Sequence, residues 1–157
     1  MSQDADPFRI GMIAMPPAQG NPFVTTGTTP HMFYTAIFDT LTLVNKKGEV
    51  EPQIATGWSR VDDNIWSIDI RAGAQFSNGE PINADTVVAM VEAFRRDDFR
   101  IFRVPDEFDF LAGARALDHY TVEFTTLTPQ ALLPRYMSFF YLVPPRHLEY
   151  SGVEGLA

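Results

Sequence analysis

The stretch that decides the fold runs from Gly57 to Val88 and begins Gly57-Trp58-Ser59-Arg60-Val61-Asp62-Asp63-Asn64-Ile65-Trp66-Ser67-Ile68-Asp69-Ile70. The polar cluster 62–64 separates two runs of strand-forming residues, and Asp and Asn side chains support turns by bonding to nearby backbone. In the second run, Trp66, Ile68 and Ile70 share one face because side chains alternate along a strand. The pattern predicts an antiparallel hairpin.

A turn and a helix follow this hairpin. Asn78-Gly79 is a strong signal for a tight turn, because both residues tolerate a positive φ. Asn83 can cap a helix that starts at Ala84, and Asp85 in the first turn suits the helix dipole. Apolar residues then recur at helical spacing, at Val87, Val88, Val91 and Phe94. We therefore expect an amphipathic helix docked on the hairpin.

The rest of the chain predicts a mixed α/β fold, with a mainly antiparallel twisted sheet and helices packed on it. Further strands are predicted over residues 8–15, 41–44, 114–118, 121–126 and 139–143. Helices or single helical turns are predicted over residues 30–39, 52–55, 84–96, 128–137 and 146–150. A Pro- and Gly-rich loop is expected over residues 16–30, and an irregular aromatic segment over residues 97–113.

The composition of the chain limits the classes of function that it can have. The 157 residues suit a single domain with its own core, spanning 1–157. With 20 acidic against 12 basic residues, the net charge is −8, which argues against nucleic acid because a phosphate backbone needs a basic face. The absence of cysteine excludes disulfides and thiolate metal sites. The three histidines, His31, His119 and His147, are too scattered to indicate a metal site, so no metal or cofactor is predicted.

The order of hairpin, turn and capped helix in residues 57–88 resembles a signature of family 5 of the extracytoplasmic solute-binding proteins, which serve peptide and nickel ABC transporters. Three further segments are similar to this family and extend the resemblance over about residues 8–150; they are Phe38-Asp39-Thr40-Leu41, Pro52-Gln53-Ile54-Ala55 and Leu142-Val143-Pro144-Pro145-Arg146-His147. One departure is Asn83-Ala84-Asp85-Thr86, where the family usually carries Thr-Ala-Glu/Asp-Asp. Asn caps a helix as well as Thr does, so the departure leaves the predicted helix intact.

The resemblance implies the N-terminal part of a type II periplasmic-binding-protein fold, namely the start of the first lobe and the subdomain inserted in it. Family members are several times longer and close two lobes on their ligand. We therefore expect this chain to bind solute weakly or not at all alone and to self-associate through surfaces the missing parts would cover. The implied function is non-enzymatic recognition of a small solute, a peptide above all, for delivery to the membrane subunits of an ABC permease.

The location is an expectation from the same resemblance. Residues 1–7 lack the basic start and apolar run of a signal peptide, and no stretch approaches the roughly 20 apolar residues that span a bilayer. Because the family is extracytoplasmic, we expect that a signal sequence preceding Met1 has been removed. The protein would then work in the periplasm or another extracytoplasmic space.

The expected solute contacts follow from positions in the family. The loop after the first strand usually faces the ligand, and the segment after the capped helix approaches it. The contacts predicted on this basis are Thr25, Thr26, Gly27, Thr28, His31, Phe102 and Phe108, with Arg103 beside them. Hydroxyl and backbone N–H groups of this loop suit a carboxylate or an amide.

Plainer interpretations of these residues stay open. His31 also suits a surface position at a helix start, and the Thr-rich loop also suits a plain surface loop. The aromatic run 99–110 also suits burial under a neighbouring element. Trp58 and Trp66 could stack on a ligand, but they also suit a core or a cross-strand pair. Asp62-Asp63 could be paired carboxylates, but they also suit a solvated hairpin tip. A self-standing α+β interaction module and a small hydrolase remain as alternatives, although the serines lack a nucleophile-elbow context.

Overall fold

The computed structural model describes residues 11, 21–24, 28–97, 99 and 105–148. The helices are α1 (Thr28–Tyr34), α2 (Ala84–Phe94) and α3 (Leu133–Tyr136), and the strands are β1 (Thr42–Val44), β2 (Val50–Pro52), β3 (Ala55–Asp62), β4 (Ile65–Ile70), β5 (Leu111–Ala116) and β6 (Thr121–Thr126). Short 3₁₀ turns span Pro105–Phe108, Met137–Phe139 and Pro145–Leu148. None of the helices in these ranges is long and apolar enough to cross a membrane.

A four-stranded antiparallel sheet in the order β3-β4-β6-β5 forms the centre of the fold, and β1 pairs with β2 in a separate ladder. The hairpin predicted from the deciding stretch is confirmed, with Trp58 opposite Ile68 and Arg60 opposite Trp66. The second predicted hairpin is also confirmed, although β5 begins at Leu111 rather than at residue 114. The mixed α/β class with antiparallel pairing is therefore as expected.

The core lies on one face of this sheet. Trp66, Ile68 and Ile70 of β4 are buried there, as their alternation predicts. Helix α2 packs against β5 and β6 and buries its apolar stripe, which comprises Val87, Met90, Val91 and Phe94. Burial of this stripe, more than helix propensity, stabilises a helix of eleven residues.

The start of α2 is fixed by a reciprocal cap. The Asn83 side chain accepts a hydrogen bond from the backbone N–H of Thr86 at 3.1 Å, and the Thr86 hydroxyl accepts one from the Asn83 N–H at 3.4 Å. The preceding turn contains Gly79 at φ +86°, a left-handed conformation that favours glycine. The predicted turn and N-cap are both confirmed, and α2 ends at Phe94, two residues before the predicted end.

Removal of this cap has a defined expected cost. Asn83→Ala leaves the N–H of Thr86 without its acceptor and should lower the free energy of unfolding by about 1 kcal/mol. Glu92→Ala, at an exposed position later in the same helix, should change it by less than about 0.5 kcal/mol. Urea denaturation followed by circular dichroism measures both, and equal effects of the two substitutions would contradict the cap.

Two predicted helical segments are wrong. Residues 52–55 contain no helical turn, because the N–H groups of Gln53 and Ile54 donate to the carbonyls of Leu41 and Thr40, at 3.3 and 3.2 Å. The predicted helix 128–137 is reduced to α3, which has Pro134 in its first turn. Proline is tolerated at that position, so the helix begins around Pro134 rather than Pro129.

The predicted strand 139–143 is also wrong. Phe139 ends a 3₁₀ turn, and Tyr141 forms an isolated antiparallel bridge with Thr40 instead of a continuous ladder. Helix α1 begins at Thr28, two residues before its predicted start, and ends at Tyr34, five residues before its predicted end. The predicted strand 8–15 and much of the loop 16–30 lie outside the described residues.

Candidate functional site

The candidate site is centred on His31 in α1. Its Nδ1 atom lies 2.6 Å from the hydroxyl oxygen of Tyr141, a residue 110 positions later in the chain. The distance is that of a short, well-formed hydrogen bond. His31 is therefore held by a specific tertiary contact rather than free on the helix surface.

Aromatic rings enclose this pair. The Phe139 ring lies 4.6 Å from the His31 ring between centroids, and 40% of Phe139 remains exposed. Behind the pair, the Tyr34 ring meets Tyr141 edge-on at 5.5 Å. The imidazole is thus half-buried, with one partly exposed ring beside it and two buried tyrosines behind it.

Burial sets the protonation states of this cluster. It lowers the pKa of His31 below the ordinary value of 6.5, because the cation is disfavoured away from water. Burial, together with the neighbouring Tyr34, raises the pKa of Tyr141 well above its usual range. Burial also raises the pKa of Tyr34. Near neutral pH, the cluster therefore contains a neutral imidazole and two protonated phenols.

A polar network fixes the position of Tyr141. The Gln53 side chain accepts hydrogen bonds from the backbone N–H and the hydroxyl of Thr40, at 3.2 and 2.5 Å. It donates to the Asp39 carboxylate at 2.8 Å, and the Asp39 carbonyl accepts from the N–H of Leu142 at 2.9 Å. Since Thr40 also bridges to Tyr141, this network holds the tyrosine against α1.

The segment before α1 is anchored as well. The Tyr34 hydroxyl donates to the carbonyl of Asn21 at 2.9 Å, and the Asn21 side chain accepts from the N–H of Phe23 at 2.9 Å. Phe23 is fully buried and meets Phe94 edge-on at 5.6 Å. Residues 21–23 are therefore tied to the core and to α1.

The structure brings together only part of the predicted contact set. Thr25, Thr26, Gly27, Phe102 and Arg103 lie outside the described residues. Thr28 is the first residue of α1, and its side chain is likewise not described. His31 is thus the predicted contact that the structure places in a defined polar setting.

Phe108 occupies a different environment from His31. It is 3% exposed, stacks on Phe94 at 5.4 Å and meets Phe140 edge-on at the same distance. This arrangement agrees with the plainer interpretation of the aromatic run as core. It leaves little of the Phe108 ring available to a solute.

Burial also decides between the alternative interpretations of the two tryptophans and the two aspartates of the first hairpin. Trp66 is a core residue, and its indole N–H donates to the carbonyl of Gln130 at 3.1 Å. Trp58 is partly buried against the core. Asp62 and Asp63 lie exposed at the hairpin tip, where Asp63 pairs with Arg60 at 2.8 Å. The tip is solvated, as its plainer interpretation predicted.

Sequence reasoning missed Tyr141 and Phe139 as neighbours of His31. Both residues were assigned to an apolar strand, which gives no sign of a contact with α1. The one available signal was the aromatic run Phe139-Phe140-Tyr141, in which a phenol offers a hydrogen-bonding group that the two phenylalanines lack.

A concave region lies between α2 and β5, away from His31. Its volume is about 120 Å³, and Val91, Phe94, Arg95, Phe108 and Leu111 contribute to its lining. Small-molecule sites usually measure roughly 300–1,000 Å³, so this cavity is too small for a peptide. Within the described residues, no group of three or more histidine or acidic side chains is placed to hold a metal ion.

Comparison with known proteins identifies the family. The model of the bacterial extracellular solute-binding proteins, family 5 (middle region), matches residues 49–153, which include both hairpins and α2. The chain belongs to this family. It is a family of extracellular solute-binding proteins rather than of enzymes.

Curated relatives agree with this assignment. The periplasmic murein peptide-binding protein MppA of Escherichia coli K12 is 32% identical over 72 residues, which cover 46% of this chain and 13% of MppA. A putative binding protein of Haemophilus influenzae is 36% identical over 52 residues, which cover 33% of this chain and 10% of that protein. The matched region is thus a small part of these longer relatives.

Solved structures share the fold. The oligopeptide-binding protein AppA of Bacillus subtilis, in complex with a nonapeptide, has a TM-score of 0.75 at 18% identity, over 87% of this chain and 27% of AppA. NikZ of Campylobacter jejuni, in complex with Ni(L-His), has a TM-score of 0.70 at 20% identity, over 83% of this chain and 26% of NikZ. The fold is that of part of a type II periplasmic binding protein, and the chain spans about a quarter of these two proteins.

Proposed function

We propose that this chain contributes to solute recognition for an ABC importer, as the N-terminal part of a two-lobed binding protein that works outside the cytoplasm. The observation that supports this most is the family match over residues 49–153. The proposed role is non-enzymatic, since a binding protein releases its solute unchanged. The second lobe would supply the opposite wall of the solute site.

The proposed solute is a short peptide. MppA is named for a murein peptide, and AppA was solved with a nonapeptide. The proposed contacts are the hydroxyl and backbone groups of Thr25, Thr26, Gly27 and Thr28, and the imidazole of His31. Such groups suit the carboxylate and amides of a peptide backbone. NikZ holds Ni(L-His), so a metal chelate is the other solute class to test.

The proposed partners are the membrane subunits of the importer, contacted by the complete two-lobed protein. Self-association of the isolated chain stays a prediction. It would use the outer edge of β3, which ends the four-stranded sheet and carries exposed residues over much of its length. Unpaired strand edges are prone to pair with another chain.

Calorimetric titration tests the proposed function. A pool of two- to five-residue peptides, and separately Ni(L-His), would be titrated into the two-lobed protein and into this chain alone. We expect saturable peptide binding by the two-lobed protein and none by this chain. If the two-lobed protein binds Ni(L-His) but not the peptides, the peptide assignment is overturned. If it binds neither, the proposed recognition of both solute classes is overturned.

His31→Phe in the two-lobed protein should weaken peptide binding about tenfold or more. A hydrogen bond to a charged group contributes roughly 1.5–3 kcal/mol, and each 1.4 kcal/mol is a tenfold change. Met32→Ala is the matched control, because Met32 is the next residue of α1 and is 57% exposed. An unchanged dissociation constant for His31→Phe would remove His31 from the site.

A further inference from the structure

We infer that Tyr141 is a positioning residue that fixes the tautomer of His31, so that the imidazole carries its proton on Nε2 and presents that N–H as a donor to the solute. The identity of the acceptor rests on the proposed function. The tautomer itself rests only on the contacts of His31 and Tyr141. Failure of one can therefore be told from failure of the other.

The hydrogen-bond inventory of Tyr141 carries the inference. Tyr141 is 2% exposed, and within the described residues its hydroxyl has His31 Nδ1 as its hydrogen-bond partner, at 2.6 Å. If Nδ1 held the proton, it would donate to the phenol oxygen, and the buried phenol O–H would lack an acceptor among these residues. A buried donor without a partner is strongly disfavoured. If Nδ1 is unprotonated, the same contact satisfies the phenol.

The protonation states agree with this assignment. Tyr141 is protonated near neutral pH because burial raises its pKa, and His31 is neutral because burial lowers its pKa. A neutral imidazole has one donor and one acceptor nitrogen. With Nδ1 as the acceptor from Tyr141, Nε2 is the donor, and no described residue hydrogen-bonds to it.

Packing keeps the ring in this orientation. Phe139 lies against the imidazole at 4.6 Å and limits its rotation, and a half-turn of the ring would replace Nδ1 by a carbon and break the Tyr141 hydrogen bond. Tyr141 and, behind it, Tyr34 are the titratable groups that contact this cluster within the described residues. Both are neutral phenols, so the orientation of His31 depends on a hydrogen bond rather than on a charge.

Acid should release this arrangement. Protonation of Nδ1 removes the acceptor, so Tyr141 can no longer donate to His31. Burial lowers the pKa of His31 in the folded state, so folding favours the neutral imidazole. The contribution of the neutral imidazole to the free energy of unfolding is therefore fully present above the ordinary pKa of 6.5, and it is lost as pH falls through the folded-state pKa. Solute binding that depends on the fixed tautomer should weaken over the same range.

Nitrogen-15 NMR of this chain without solute tests the inference directly. His119→Gln and His147→Gln assign the other two imidazoles, leaving the His31 signals identified. We expect Nδ1 of His31 to resonate as an unprotonated nitrogen and Nε2 as a protonated one. A protonated Nδ1, or equal populations of the two tautomers, would overturn the inference even if peptide binding were confirmed.

Two single-hydroxyl deletions complete the test. Tyr141→Phe keeps the ring packing but removes the donor, and we expect a mixture of tautomers and a rise in the His31 pKa, because the neutral imidazole loses a hydrogen bond. Tyr34→Phe is the matched control, because its hydroxyl donates to Asn21, and it should leave the tautomer unchanged. An unchanged His31 spectrum in Tyr141→Phe would contradict the inference. If that variant does not fold, the wild-type spectrum still decides the tautomer.

Discussion

Phe140→Ala is expected to lower the free energy of unfolding by about 3–5 kcal/mol, the usual cost of removing a buried aromatic ring. Phe140 is fully buried and meets Phe94 and Phe108 edge-on, each at 5.4 Å between ring centroids. It also approaches Phe124 of β6 at 6.5 Å. The ring therefore joins the segment after α3 to both α2 and the sheet, and its loss leaves a cavity at their junction.

The preceding residue provides a matched control. Phe139 has the same side chain but is 40% exposed, and its ring contact is with His31. Phe139→Ala should cost clearly less than Phe140→Ala, because 40% of Phe139 is already in contact with water whereas Phe140 is fully buried. Urea denaturation of both variants gives the comparison. Equal losses of stability would contradict the burial assigned to these two neighbouring rings.

Trp66→Ala is the second substitution with a large expected effect, also about 3–5 kcal/mol. Trp66 lies on the buried face of β4, opposite Arg60 on β3 and Phe124 on β6. Its indole N–H also donates to the carbonyl of Gln130, which ties the segment before α3 to the sheet. The substitution therefore removes core volume and leaves that carbonyl without its donor.

Two further tryptophan variants separate these contributions. Trp66→Phe keeps most of the apolar volume but removes the indole N–H. Loss of this hydrogen bond should lower the free energy of unfolding by about 1 kcal/mol, in addition to the cost of repacking the core around the smaller ring. Trp58→Ala removes a ring that is only partly buried and should cost clearly less than Trp66→Ala. Urea denaturation followed by far-UV circular dichroism measures all three. A larger loss for Trp58→Ala than for Trp66→Ala would contradict the burial assigned to the two rings.

The elements that sequence predicted best are those specified by adjacent residues. The alternation of Trp66, Ile68 and Ile70 fixes which face of β4 is buried, whatever packs on it. The cap at Asn83 uses only Thr86, three positions away, so α2 starts where it was predicted. Local chemistry was sufficient in both places.

The errors arose where distant partners decide the structure. Gln53 and Ile54 are not helical because their N–H groups donate to the carbonyls of Leu41 and Thr40. The residues around position 53 contain no pattern that predicts this pairing. The candidate site shows the same limit. The sequence predicts a solute contact at His31 from its place beside the Thr-rich loop, but the contact with Tyr141 depends on the folding of a segment 110 positions away.

Native mass spectrometry of this chain and of the two-lobed protein, each incubated with the same peptide pool, tests the central claim most directly. The claim is that this chain supplies one wall of a solute site that needs a second lobe. We expect a stoichiometric peptide adduct on the two-lobed protein and none on this chain. A stoichiometric adduct on this chain alone would show a complete binding module, and the absence of any adduct on the two-lobed protein would contradict peptide recognition.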